Sequence, residues 1–198
     1  IHPDDAERFH ITDADLTRVS TGIGWVLVRA LVTSRQQPRS IFVPIHWNDQ
    51  FASDACVGKL VPGITDAISG QPASKNIPAR IERFVAANYG FAVLRKKPER
   101  IAAEYWAIAK CDGGWRIEMA FATGSAHWSS FARALFGRAS ELAVYHDAET
   151  GRRRFAAYDS GCLAGMLFLA PEPVAVSRDW AISQLDATIS TLRRRNVV

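Results

Sequence analysis

One stretch, residues 41–81, constrains this chain more than any other: IFVPIHWNDQFASDACVGKLVPGITDAISGQPASKNIPARI. It opens on a strand-like apolar run at 41–43 and closes on another at 77–81. Between them lie an aromatic corner (His46-Trp47), several Asp and Asn, two turn signals (Pro62-Gly63 and Ser69-Gly70) and an isolated Lys75. Strands in compact domains are usually joined by a few residues, and long connections that fold are usually binding surfaces or Ω-loops. The stretch is therefore expected to be a binding surface for a large, polar, phosphate-bearing ligand.

The flanking sequence sets that loop on β structure. Residues 3–9, PDDAERF, read as a short helix, with Pro3 in its first turn and Asp4 and Asp5 at the positive end of the dipole. Residues 16–20, LTRVS, alternate apolar and polar as a half-buried strand does, TGIG at 21–24 is a hairpin turn, and 25–32, WVLVRALV, is the returning strand. A phosphate-binding glycine loop at Gly22 and Gly24 would need a third glycine and a following helix, and a strand follows instead. Turns every eight to twelve residues favour a small barrel over a parallel sheet.

From Phe84 the pattern changes. Strands are expected at 91–95, 105–109, 115–121, 142–146, 155–158 and 161–169, with a hairpin turn at Asp112-Gly113-Gly114 and a turn at 148–151. Trp128, Phe131, Leu135 and Phe136 have helical spacing, and Ser177 reads as the N-cap of a helix over 178–192. This half is expected to be α+β, an antiparallel sheet with two helices, beyond a boundary near residue 84.

Charge and cysteines narrow the function classes. The net charge of +4 is modest and spread out, which is weak ground for nucleic acid and equally suits a surface that meets phosphates. Cys56, Cys111 and Cys162 are far apart and lack metal-ligand spacing, so neither a disulfide framework nor a zinc site is expected, and a reducing compartment is. No apolar run approaches the roughly twenty residues that span a bilayer, and no signal peptide is recognisable. The chain starts without methionine and ends just after an Arg-rich segment, which suggests a piece of a longer protein.

The polar residues admit competing roles. Lys75, between Ser74 and Asn76, could direct its ammonium at a carbonyl or phosphate, or be an ordinary surface lysine. His46-Trp47, just after Pro44, could hold a planar heterocycle, or Trp47 could plug one end of a barrel. Asp49, Asp54 and Asp66 match no calcium loop and are better read as turn-formers. Ser125, His127, His146 and Asp147 lack a nucleophile elbow, so a hydrolase triad is not expected. The runs at 152–154 and 193–195 read as solvated surface.

The residues IHPDDAERFHITDADLTRVSTGIG resemble the entry to the molybdopterin-dinucleotide-binding domain that closes the large subunit of molybdopterin oxidoreductases. IFVPIHWNDQFASDACVGKLV and DAISGQPASKNIPARIERF resemble the assimilatory nitrate reductase branch of that family, and weaker likeness extends over YGFAVLRKKPERIAAEYWAIAK, AVYHDAETGRRRFAAY and MLFLAPEPVAVSRDW. The resemblance implies a mainly β chain: a double-psi β-barrel of the aspartate-decarboxylase-like kind over 1–83, then a small α+β accessory region over 84–198. It implies part of a bacterial enzyme reducing nitrate to nitrite at molybdenum, with molybdopterin guanine dinucleotide held partly by this chain and iron–sulfur clusters elsewhere in the parent. Residue by residue, the family's aromatic-rich site after its Val-Pro pair falls at Ile45 and His46, with Trp47 beside it. Its cofactor-touching Asn falls at Gly58, where only backbone contact is possible. Its Asp before the Ser-containing turn falls at Asp66, and its cofactor-contacting lysine at Lys75.

The implied partners are upstream domains of the same polypeptide and an iron–sulfur domain or electron donor docked by the second half, with neither nucleic acid nor membrane. The implied compartment is the cytoplasm, and the chain alone is expected to be inactive and without cofactor. The competing expectation is an autonomous β-barrel module that binds nucleic acid or protein through its basic surface.

Overall fold

The computed structural model describes residues 1–72, 74, 76–125, 127–137 and 141–186. It divides into two compact units, Ile1–Val85 and Ala86–Val198. Both are built on antiparallel sheets with few helices.

The first unit opens with helix α1 (Pro3–Arg8), whose N-cap His2 accepts through Nδ1 a hydrogen bond from the Asp4 N–H at 3.1 Å. Strands β1 (Leu16–Ser20), β2 (Trp25–Arg29) and β3 (Arg80–Arg83) form one sheet in the order β2-β1-β3. The β1–β2 turn is the expected hairpin, closed by the Thr21 N–H donating to the Gly24 carbonyl at 2.9 Å. Alternation along β1 sends Val19 into a core with Ile11, Val26, Leu60 and Ile81, which is the period-two logic of a half-buried strand.

Three expected strands of this unit differ, the returning strand ending at Arg29 rather than at residue 32. Residues 41–43 form no ladder, although Ile41 and Val43 still pack on the core and Phe42 points to solvent. The alternation there reports burial without pairing, and Pro44 has no N–H to extend a ladder. The closing strand starts at Arg80 rather than at residue 77. Pro78 withholds a donor just where pairing would begin.

The second unit has a six-stranded sheet in the order β5-β6-β4-β9-β8-β7, made of β4 (Asn88–Leu94), β5 (Tyr105–Cys111), β6 (Gly114–Phe121), β7 (Glu141–His146), β8 (Arg153–Asp159) and β9 (Cys162–Ala170). Helix α2 (Trp128–Phe136) buries Trp128, Ala132 and Leu135 against Ala92, Leu94, Ile117, Met119, Leu167 and Leu169. Helix α3 (Arg178–Asp186) buries Ala181 and Leu185 against Phe91, Val93, Met166 and Phe168. Residues of opposite parity on β4 and β9 thus serve different helices, so the two helices cover opposite faces of one sheet. That explains why the central strands read as continuous apolar runs: both sides are buried. The β4–β6 approach is tight at Gly114, where a Cβ would lie 2.0 Å from the Leu94 carbonyl oxygen. Ser177 caps α3, its Oγ accepting from the Trp180 N–H at 3.2 Å. The expected continuation to residue 192 lies outside the described residues, as does the basic run 193–195.

Candidate functional site: the long flap of the first unit

The segment after residue 40 is anchored along its first half and projects along its second. Anchoring starts at β2, whose Leu27 N–H donates to the Asp54 carbonyl at 2.8 Å. Asp54 takes the left-handed backbone (φ 40°) that Asp tolerates better than most residues. The hairpin tip then grips the 3-10 turn Val57–Leu60, with Thr21 Oγ1 donating to the Leu60 carbonyl at 3.1 Å. Gly24 is required by close approach, because a Cβ there would lie 2.5 Å from the Lys59 carbonyl oxygen. Leu60, Val57 and Ala55 turn inward.

Lys59 completes this anchored half. Its Nζ lies 3.1 Å from Asp54 Oδ1 and 3.5 Å from Asp49 Oδ1. The Asp54 hydrogen bond, helped by the charges of both carboxylates, holds its pKa above the ordinary lysine value against the opposing effect of burial. Asp49 and Asp54, read from sequence as turn-formers, also serve as counter-ions for a lysine that sequence reasoning passed over. Spacings of five and ten residues follow no helical or strand period, so no local pattern announced the cluster.

The residues expected at the site are exposed. Ile45 is 76% exposed and Trp47 50%, and His46 is exposed between them. Trp47 therefore does not plug a core. Gly58 is exposed within the 3-10 turn, with only Cys56 Sγ, at 3.7 Å, near a virtual Cβ. Asp66 holds a turn: its Oδ1 accepts from the Ser69 N–H at 2.7 Å, the Ser69 hydroxyl at 2.9 Å and the Ile68 N–H at 3.1 Å. Those bonds, the Ser69 backbone first, hold its carboxyl below the usual range. The turn presents Ile68, 98% exposed, and a bridge from Thr65 to Pro72 closes its base. Lys75 lies outside the described residues.

The other weighed constellations are local structure. Ser125 Oγ accepts from the His127 N–H at 2.9 Å, a turn ahead of α2. Asp147 accepts from the Thr150 hydroxyl at 2.6 Å and from the Glu149 N–H at 3.0 Å, which holds the β7–β8 turn and, through Thr150 first, lowers its pKa. Arg152 pairs with Glu172, and Arg154 sits 5.7 Å from the Tyr145 ring centroid. No group of three or more His, Cys, Asp or Glu among the described residues is placed to hold a metal. No helix among them is long and apolar enough to cross a membrane.

An open flap with an aromatic corner, clamped at one end to a three-stranded sheet, is the kind of surface a large flat ligand covers. Residues 1–78 match the family described as Molydopterin dinucleotide binding domain. The chain is also similar to the nitrate reductase of Klebsiella oxytoca, 33% identical over 128 residues. That match covers 65% of this chain and 15% of the relative, so the chain spans a small part of that protein's length. No solved structure matches significantly.

Proposed function

We propose that this chain is the C-terminal part of a molybdenum-dependent assimilatory nitrate reductase of the cytoplasm, and that its first unit closes over molybdopterin guanine dinucleotide. The carrying observation is the exposure of Ile45 and Trp47 on a flap whose base is pinned by Leu27, Thr21 and Lys59. Large apolar side chains held in solvent on an anchored segment are what a ligand or partner is expected to cover. In this reading Trp47 and Ile45 lie against the heterocycle, His46 offers a hydrogen bond, Gly58 offers backbone alone, and Lys75 meets a carbonyl or phosphate. Asp66 acts indirectly, by shaping the turn that carries Ile68. When bound, the cofactor supplies redox chemistry at molybdenum; the residues here bind and orient it and keep water from it.

The first unit is read as the wall of a double-psi β-barrel. The flap segments packed on the sheet, through the Leu27–Asp54 bond and through Ile41 and Val43, support that reading. The second unit is read as an accessory region that docks an iron–sulfur domain or electron donor, the parent carrying iron–sulfur clusters elsewhere. The test is substitution in the full-length enzyme. Trp47→Ala and Lys75→Ala are each expected to lower molybdopterin content and nitrate-reducing turnover together, by about tenfold for the loss of one well-placed contact. Unchanged cofactor content in both variants overturns the assignment of the flap.

A further inference from the structure

The two outer strands of the six-stranded sheet differ in how they would meet a further strand. Among the described residues β7 has β8 on one side and no strand on the other. Just beyond the β7–β8 ladder, the Asp147 N–H donates to the Arg152 carbonyl at 2.9 Å. Backbone bonding alternates along an antiparallel pair. Residues 141, 143 and 145 therefore turn their N–H and C=O groups to β8, and Leu142, Val144 and His146 turn theirs outward. Such a row is a template for another strand, and natural edges resist pairing with lysine or proline. The opposite outer strand, β5, carries an exposed Lys110. The β7 sequence, ELAVYH, has neither lysine nor proline, and no charge between Glu141 and His146.

The side chains of β7 fall on two faces. Leu142 packs on the core that holds Phe155, under α2, and Val144 is paired with Phe155, so both lie on that face. Ala143 packs on the core under α3, and Glu141 and Tyr145, two residues away on either side, share its face. Val144 keeps 50% of its surface in solvent and Tyr145 46%. The Arg154 guanidinium covers the Tyr145 ring, 5.7 Å from its centroid.

We propose that β7 pairs antiparallel with β7 of a second copy of this chain, about a twofold axis normal to the sheet. That axis keeps each face continuous across the join, so only residues of equal parity stand opposite one another. Centring the pair on Ala143 sets Leu142 against Val144 of the second copy, twice, on the α2 face. These are the residues whose backbone groups face outward, so they also exchange the hydrogen bonds. On the α3 face the same register sets Glu141 against Tyr145 of the second copy, twice, and so beside the Arg154 that covers that ring. Centring the pair on Val144 instead sets Glu141 against Asp147, and like charges directly opposite are destabilising. Apolar matching and charge thus select one register, and both arise from β7 and β8 of identical chains.

Sedimentation velocity of the 198-residue chain at rising concentration tests this. A monomer–dimer equilibrium is expected, and a monomer at every concentration overturns the pairing. Val144→Lys sets a charge against Leu142 of the second copy and is expected to weaken the dimer at least about tenfold. Val144 is half exposed, so the fold is kept, and a thermal melt confirms that. Oxidative cross-linking reads the register, with Cys162→Ser in the background because Cys162 is exposed. Ala143→Cys sets two thiols opposite each other with a Cα spacing of about 4.5 Å, within disulfide reach, and is expected to give a linked dimer. Val144→Cys stands opposite Leu142 rather than itself and is not. Glu141→Arg is expected to weaken the dimer, and Arg154→Glu added in the same chain to restore it, a recovery that loss of fold would not show. A dimer that Val144→Lys leaves as tight, that links through Val144→Cys in place of Ala143→Cys, or that the charge exchange fails to restore overturns the pairing. None of these variants touches the flap, so the result is independent of the cofactor reading.

Discussion

Asp15 shows how a single carboxylate ties distant parts of the first unit together. Its Oδ2 accepts from the Thr12 N–H and hydroxyl, each at 2.8 Å, and lies 3.1 Å from Arg83 Nε on β3. Burial alone would raise its pKa, but the Thr12 hydrogen bonds and the Arg83 charge outweigh it and the net direction is down. A carboxyl whose folded pKa lies below its unfolded value, about 3.9, contributes stability that is complete above that value. The contribution is lost as pH falls through the folded pKa. Asp15→Asn is expected to cost about 1–2 kcal/mol at pH 7, the solvent-exposed side of Arg83 keeping the figure at the low end. Denaturant unfolding of wild type and variant at pH 7 and below pH 3 checks it, since the two curves should converge in acid. A gap that persists in acid would place the effect elsewhere. Little of this was legible beforehand. The HITDAD turn could be read, but Arg83 is sixty-eight residues away, and only the fold brings it near.

Elements were more legible than the contacts between them. Period-two alternation located β1, and short apolar or aromatic runs located β4, β5, β6 and β8, because each has neighbours that reward burial of one face or both. Residues 41–43 carried the same pattern and formed no strand, since the pattern encodes burial and not a pairing partner. The opposite placement of α2 and α3 had no single-residue signal; it emerges from which parity of β4 each helix buries. Arg178 makes α3's placement specific. Its Nε and Nη2 bond Glu118 on β6 at 3.0 and 3.2 Å, its Nη1 bonds the Val174 and Val176 carbonyls at 2.8 Å, and its guanidinium stacks 4.3 Å from the Phe91 ring centroid. At the other end, Arg95 bonds the Leu163 carbonyl at 2.6 Å and also the Leu185 carbonyl. Arg178→Met keeps the aliphatic stem and removes the fork. It is expected to cost about 1–3 kcal/mol and to act locally. Hydrogen exchange should quicken at α3 amides such as Ala181 and leave Val93 and Leu167 protected. Uniform quickening across the sheet would show that the fork stabilises the unit as a whole.

At the scale of the whole chain, the two units carry separate cores, which gives a lesion an address. Leu135 on α2 is buried in the core that holds Ile117 and Leu167, whereas Val19 and Val26 belong to the small core of the first unit. Truncating a buried leucine costs about 2–5 kcal/mol, through lost transfer energy and the cavity left behind. Leu135→Ala is therefore expected to lower protection at Ile117 and Leu167 by that amount while Val19 and Val26 keep theirs, as native-state hydrogen exchange would read. The difference follows from where apolar area is removed, since a unit with its own core unfolds against its own free energy. Ligand linkage sharpens the contrast. A ligand held by the first unit alone adds RT ln(1 + [L]/Kd), about 2.7 kcal/mol at a hundredfold excess over Kd, and the addition should appear at Val19 and Val26 and not at Ile117. Equal loss at all four amides in Leu135→Ala would mean that the chain opens as one cooperative body, and the division of labour proposed between a cofactor-binding unit and an accessory one would lose its energetic basis.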